Sequence, residues 1–182
     1  MADSIISLAV KEKDNFEMVD VKVVKAKLDS NGRKVNAILS HFHEDHIGNL
    51  PGMGVDEVYQ GKYTHRHTGM GTVVEDDIYI QDGEARLHIF PLPSSHAKGC
   101  VALEVNDEWC FLGDALYAMQ KCGHNLYNAG ILKEEINVLQ NIKAEKFMLS
   151  HRTPFEKPKG IIMRWLGEIY DRRVKGEVYI EI

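Results

Sequence analysis

The stretch His41-Phe42-His43-Glu44-Asp45-His46-Ile47-Gly48 sets three histidines and an aspartate within six residues. Packing gives no reason to gather so many polar side chains, and burying them without partners costs free energy. In an extended segment side chains alternate, so His41 and His43 point the same way. Asp45 and His46 then open the helix suggested by Ile47 to Leu50. One short turn thus offers two imidazoles to one point in space and a carboxylate with an imidazole to a neighbouring point. Imidazole and carboxylate together suit zinc, iron, manganese and related ions. Two such points close together make a two-metal site, which can turn water into a nucleophile near neutral pH.

Working outward, Val35 to Leu39 is apolar enough for a short buried strand that runs into Ser40-His41. Further along, His96 follows strand-like Leu87 to Phe90 through Pro91-Leu92-Pro93-Ser94-Ser95. Asp114 ends the strand Trp109 to Leu112, and His151 ends the strand Lys146 to Leu149. Each ligand-type residue therefore lies just past a strand, where loops at one sheet edge can converge. The middle of the chain reads as β structure. Strands at Val73-Val74 and Ile78 to Ile80 precede an Asp82-Gly83 turn, and Val101 to Val105 pairs with Trp109 to Leu112 around Asn106-Asp107. Leu132, Ile136 and Leu139 mark one helix, and Ile162, Trp165, Leu166 and Ile169 another. Val178 to Ile182 is a candidate final strand. Residues 16–29 fit strand and helix spacing equally, and Lys62 to His67 reads as a polar loop.

Composition bounds the rest. The chain has 182 residues, 44% apolar and 27% charged, which fits a single globular domain over 1–182. A formal net charge of −5 gives no sign of a nucleic-acid partner. No apolar run reaches membrane-spanning length, and the first residues show no secretory pattern. The three cysteines, Cys100, Cys110 and Cys122, form no disulfide framework and read as reduced thiols of a cytoplasmic protein.

His41 to Gly48 resembles the metal-binding motif of the metallo-β-lactamase superfamily. Pro93-Ser94-Ser95-His96-Ala97-Lys98-Gly99-Cys100 is similar to that family's third-histidine segment, Phe111-Leu112-Gly113-Asp114-Ala115-Leu116-Tyr117 to its bridging-aspartate segment, and Phe147-Met148-Leu149-Ser150-His151 to its final-histidine strand. The resemblance spans residues 34–152. It implies an α/β fold in four layers, an αββα sandwich of two sheets with helices outside. It also implies that His41, His43 and His96 hold one metal, and that Asp45, His46 and His151 hold the other. Asp114 would bridge both together with a hydroxide, and Asp45 would also orient that nucleophile or carry its proton. Asp45 and His46, with histidine rather than glutamate at position 43, resemble the hydrolase branch, and the spacings resemble glyoxalase II and its relatives. Ala2-Asp3-Ser4 resembles the turn after the family's opening strands. A sheet trimmed at the N-terminus, or an edge covered by a partner chain such as a homo-oligomer, would follow.

The expected activity is hydrolysis of a small-molecule ester, thioester or related bond by two divalent ions, with zinc expected and iron or manganese as alternatives. Tyr117, His124 and Arg152 are the candidates to touch substrate. Two rivals stand beside this reading. One is a mononuclear iron oxygenase of the persulfide-dioxygenase kind, using His41, His96 and Asp114. The other is a metal-binding module without catalysis.

Overall fold

The computed structural model describes residues 34–151 and 154–182. The ambiguous stretch 16–29, the Ala2-Asp3-Ser4 turn and Arg152 lie outside the described residues. The described strands are β1 (Asn36–Leu39), β2 (Glu57–Gln60), β3 (Thr72–Val73), β4 (Ile78–Asp82), β5 (Ala85–Leu92), β6 (Cys100–Val105), β7 (Trp109–Gly113), β8 (Met119–Lys121), β9 (His124–Asn128), β10 (Lys146–Leu149), β11 (Glu156–Pro158) and β12 (Tyr179–Glu181). The helices are α1 (Glu44–Ile47), α2 (Leu50–Met53), α3 (Lys62–Thr68), α4 (Ala129–Asn141) and α5 (Lys159–Tyr170).

The strands form a six-stranded sheet ordered β11-β10-β7-β6-β5-β4 and two three-stranded sheets, β1-β2-β3 and β12-β9-β8. Strand alternation decides the layers. On β5 and β6, Ile89, Val101, Leu103 and Val105 face one way and meet Ile38 and Tyr59 of the β1-β2-β3 sheet. Phe90, Ala102, Cys110, Leu112 and Phe147 face the other way and meet Leu132 and Leu139 of α4 and Ile162 and Leu166 of α5. Leu39 and Val58 on the outer face of the small sheet cover Leu50 of α2 and Ile47 of α1. The order is helix, sheet, sheet, helix. Every residue of β6 is buried, as a strand covered on both faces must be. Leu132, Leu139 and Leu166 are wholly buried, each worth roughly 1.5–3 kcal/mol in apolar area removed from water. The α4 start is fixed by the Asn128 side chain, which accepts from the Gly130 and Ile131 amides at 3.0 and 3.1 Å.

The turns match their chemistry. Asn106 and Asp107 take φ of 54° and 58°, the left-handed pair that an Asn-Asp hairpin tolerates. Elsewhere the sequence expectation needs correction. The segment after His43 is two one-turn helices, α1 and α2, rather than one continuous helix from Asp45 through Leu50. Lys62 to His67 is helix α3, not a polar loop. It has no apolar stripe, but Thr64 is buried and Gly69 closes it at φ 66°, its amide bonding the His65 carbonyl.

Candidate metal centre

The strands deliver the polar side chains to one edge. β1 ends at Leu39, and the carbonyl of the next residue, Ser40, accepts from the Val101 amide at 2.8 Å, tying the His41 loop to β6. β7 and β10 pair in parallel, and the Ser150 amide donates to the Gly113 carbonyl at 3.1 Å, so Asp114 and His151 leave side by side. His96 is fixed by Ser94, whose hydroxyl accepts from the His96 amide at 3.0 Å and donates to the Ala115 carbonyl at 2.6 Å.

The result is two adjoining groups of donor atoms, His41-His43-His96 and Asp45-His46-Asp114-His151. In the first, His43 Nδ1 lies 3.0 Å from His41 Nε2 and 3.1 Å from His96 Nε2. In the second, His46 Nε2 lies 3.3 Å from His151 Nε2, and Asp45 Oδ2 lies 3.1 Å from His151 and 3.6 Å from His46. One oxygen belongs to both. Asp114 Oδ2 is 3.4 Å from His46 and from His151, 3.5 Å from His96 and 3.8 Å from His41.

These spacings suit cations. Ligands at about 2.0–2.1 Å from a tetrahedral ion stand about 3.3–3.4 Å apart, within the range seen in both groups. Hydrogen bonds alone satisfy the first group poorly. His41 Nδ1 is engaged by Ser40 Oγ at 3.1 Å, and His96 is held by a hydrogen bond to the Ala118 backbone. With those nitrogens carrying the protons, the Nε2 lone pairs of both rings converge on His43, whose Nδ1 can donate a proton to only one of them. The other oxygen of Asp114, Oδ1, is buried without a hydrogen-bond partner. Both facts fit a centre completed by positive charge.

The electrostatics prepare the ligands. Burial, with the charges of His46, His43 and His96, pushes the His41 imidazole down to about 3, so it stays neutral and able to ligate. Burial likewise lowers His96, partly offset by Asp114. For Asp114 burial acts upward, but the His46 hydrogen bond and the charges of His46, His151 and His41 outweigh it and hold the carboxyl below its usual value. His151 takes φ 60°, a left-handed conformation that a residue with a Cβ rarely adopts and that clusters at functional sites.

Two features lay beyond the sequence reading. Ser40 Oγ reaches both His41 Nδ1 at 3.1 Å and His46 Nδ1 at 3.2 Å, orienting one ring of each group. Gly113 makes room for it: with φ 56°, a Cβ there would sit 2.5 Å from Ser40 Oγ. No local pattern marks this serine; only the folded proximity of residues 40, 41, 46 and 113 does.

Beside the first group opens a cavity of about 530 Å³, with His43 and His96 at one end and Tyr117, Gln120, Asn125 and Trp165 among its walls. Tyr117 thus lies at the cavity, with its hydroxyl donating to the Ser150 carbonyl. His124 does not line it; the ring pairs with Glu181 at 2.5 Å on the opposite face of the β12-β9-β8 sheet. Gln120 and Asn125 escaped the sequence reading because β8 and β9 carry no apolar alternation to announce them, and Trp165 read only as part of the α5 apolar stripe.

No family model matches the sequence. A curated relative, the large ribosomal subunit protein bL17 of Lachnospira eligens, is 49% identical over 39 residues, which is 21% of this chain and 22% of that protein. Solved structures are similar over far more of the chain. A flavoprotein from Thermotoga maritima matches with TM-score 0.61 at 15% identity, covering 78% of this chain, which spans 44% of that one. A peroxy diiron species of the chemotaxis sensor ODP matches with TM-score 0.64 at 13% identity, over 81% of this chain and 77% of that one. A metallo-β-lactamase from Pontibacter korlensis matches with TM-score 0.56 at 19% identity, over 80% and 74%. Such likeness shows the fold: this chain has the metallo-β-lactamase architecture, shared by hydrolases and by diiron proteins. Among the described residues, no helix is long and apolar enough to cross a membrane.

Proposed function

We propose that this chain is a binuclear metal-dependent hydrolase of a small-molecule ester, thioester or related acyl bond, akin to the glyoxalase II branch. The observation that carries the reading is Asp114 Oδ2, within 3.4–3.8 Å of imidazoles from both donor groups. His41, His43 and His96 would hold one divalent ion and Asp45, His46 and His151 the other, with Asp114 shared. Bound there, the ions lower the pKa of water and polarise a carbonyl.

The chain's own side chains supply the rest. Ser40 holds the His41 and His46 rings at their Nδ1 atoms, so their Nε2 lone pairs stay aimed inward. Asp45 is the exposed carboxylate of the set, with Oδ2 turned toward His46 and His151. Its other oxygen is left to take the proton of attacking water, a general-base role. Tyr117 braces the backbone before His151 through the Ser150 carbonyl. Zinc is the expected metal, because five imidazoles and two carboxylates suit it at hydrolytic sites.

A second reading has a specific basis. His41 Nε2, His96 Nε2 and Asp114 Oδ2 form a two-histidine, one-carboxylate face of the kind that binds iron for oxygen chemistry. Against it, His43 Nδ1 stands 3.0–3.1 Å from both imidazoles and crowds that face. Metal analysis of protein expressed without added metal separates the two. About two zincs per chain with turnover of activated thioesters supports the hydrolase; about one iron with oxygen uptake on a persulfide supports the oxygenase. Turnover that survives in a metal-stripped His43→Ala protein would end the hydrolase reading.

A further inference from the structure

We propose that helix α3 and the loop after His96 form an anion-binding rim beside the metal centre, with Arg66 and Lys98 as its cations, so that the preferred substrate carries a carboxylate or phosphate away from the bond that is cut. This rests on the hydrolase reading above and adds the substrate class. Sheet topology puts α3 at the site. β1 and β2 run parallel, with Leu39 opposite Gln60, so the chain leaves both strands at the same edge. One exit is Ser40-His41, and the other is Gly61 and α3. The Val101 amide bonds the Ser40 carbonyl, which brings the end of the His96 loop to that edge as well.

Side chains and backbone lock these segments together. The His67 ring stacks on Phe42, centroids 5.0 Å apart and planes within 7°, and Phe42 stands edge-on to His43 at 5.1 Å. Gly61 packs so closely on the His96 loop that a Cβ there would collide with the Gly99 carbonyl oxygen. Lys98 is two residues from His96, so its Cα lies within about 7.6 Å of that residue's.

The charge at this edge is one-sided. The chain carries a formal net charge of −5, yet α3 reads Lys62-Tyr63-Thr64-His65-Arg66-His67-Thr68, without one acid. The Tyr63 ring carries the Arg66 guanidinium at 4.8 Å and the Lys98 ammonium at 5.8 Å from its centroid. Two like charges are thus gathered on one ring, and among the described residues neither forms an ion pair. Acids on neighbouring segments are engaged elsewhere: Glu75 meets Lys62 at 3.9 Å, Glu44 folds back over Gly48, and Asp45 turns to His151 at 3.1 Å. Gathering like charges raises the free energy of the empty rim, and an anion placed between them lowers it. The guanidinium offers paired N–H donors to a carboxylate or phosphate, and the ammonium adds a point charge. Both side chains are exposed, so an anionic tail meets them without being stripped of all its water.

The test uses the full chain loaded with zinc and three thioesters: butanoyl-N-acetylcysteamine, neutral throughout; succinyl-N-acetylcysteamine, with a carboxylate on the acyl side; and butanoyl-coenzyme A, with phosphates on the thiol side. The readout is kcat/KM for each anionic compound relative to the neutral one. In the double variant Arg66→Ala, Lys98→Ala that ratio should fall by about fivefold or more for at least one anionic compound, through KM rather than kcat. A fall for the succinyl compound assigns a carboxylate on the acyl side, and a fall for the coenzyme A compound a phosphate on the thiol side. Lys62→Ala removes one charge from the same helix and should change the ratio by less than about twofold. A smaller fall in the double variant for both anionic compounds overturns the proposal, as does a larger change in Lys62→Ala. The corresponding amides, with nitrogen in place of the thioester sulfur, separate the two levels by calorimetric titration. If no thioester turns over but the double variant loses about fivefold or more in affinity for an anionic amide relative to the neutral one, the anion rim stands and the hydrolase reading falls. If thioesters turn over and neither anionic amide shows that loss, the hydrolase reading stands and the rim falls.

Discussion

Asp114 and Glu135 are both buried carboxyls, 5% and 0% exposed, and they sit in opposite chemical worlds. Asp114 follows β7 among four imidazoles, and its carboxyl is held below the usual range. Glu135 lies on the inner face of α4 beside Leu132 and Leu139, both its oxygens lack a partner, and burial pushes its carboxyl well above the usual range. Burial is common to both, so burial does not make a site. What differs is the convergence of lone pairs. Around Asp114 the neighbours supply lone pairs for a cation; around Glu135 they supply no hydrogen-bond partner to either oxygen. One acid is shared and held toward its charged form, and the other is isolated and pushed by burial toward its neutral form.

The contrast breaks most visibly at Asp114. Asp114→Ala should lower affinity at both metal positions and turnover by at least about 100-fold, since removing even an outer-shell partner commonly costs 10–100-fold. Metal content by mass spectrometry and thioester turnover check it. Loss of only one ion would mean that Asp114 serves a single position. Ser40→Ala should come next. It removes the hydroxyl that touches both His41 and His46, so both metal affinities should fall by about 10–100-fold while the fold persists. A titration in which only one of the two binding steps weakens would show that the serine supports one ring alone. Glu135→Ala, by comparison, should leave metal content unchanged, and a drop there would erase the distinction between the two acids.

The donor cluster was legible in the sequence for a simple reason. His41, His96, Asp114 and His151 each follow a strand whose apolar residues are legible on their own, and β1, β7 and β10 formed close to where the pattern put them. The αββα order of the layers followed from the resemblance rather than from periodicity. Features decided by long-range contact stayed hidden. α3 has no apolar stripe and reads as a loop; its ends are set by Gly61 and Gly69. The β8-β9 hairpin, Met119 to Asn128, is short and polar, so its inward row of Gln120 and Asn125 becomes visible only once β12 pairs beside it. Glu135 was also invisible, because a glutamate in a helical sequence reads as solvent-facing until the packed fold buries it.

That covered glutamate gives the smallest effect and the one with opposite sign. Its carboxyl titrates near 4.5 in an unfolded chain and well above that in the fold. Below pH 4.5 both states hold the proton and the folded state loses nothing by titration. Above it the unfolded chain releases the proton while the fold keeps it, so stability declines as pH rises, until the folded carboxyl itself ionises. The nearby Cys100 thiol, pushed up to about 12 by burial, adds no titration in that window. Glu135→Leu replaces the isolated acid with an apolar side chain of similar size. It should stabilise the protein at neutral pH by about 1–3 kcal/mol. The gain should be smaller at pH 4 and grow between pH 4 and 7. Denaturant melts of both proteins in chelator, at the two pH values, measure the difference directly. A gain that is the same at both would mean that Glu135 finds a partner in solution, and the isolation that sets it apart from Asp114 would be lost.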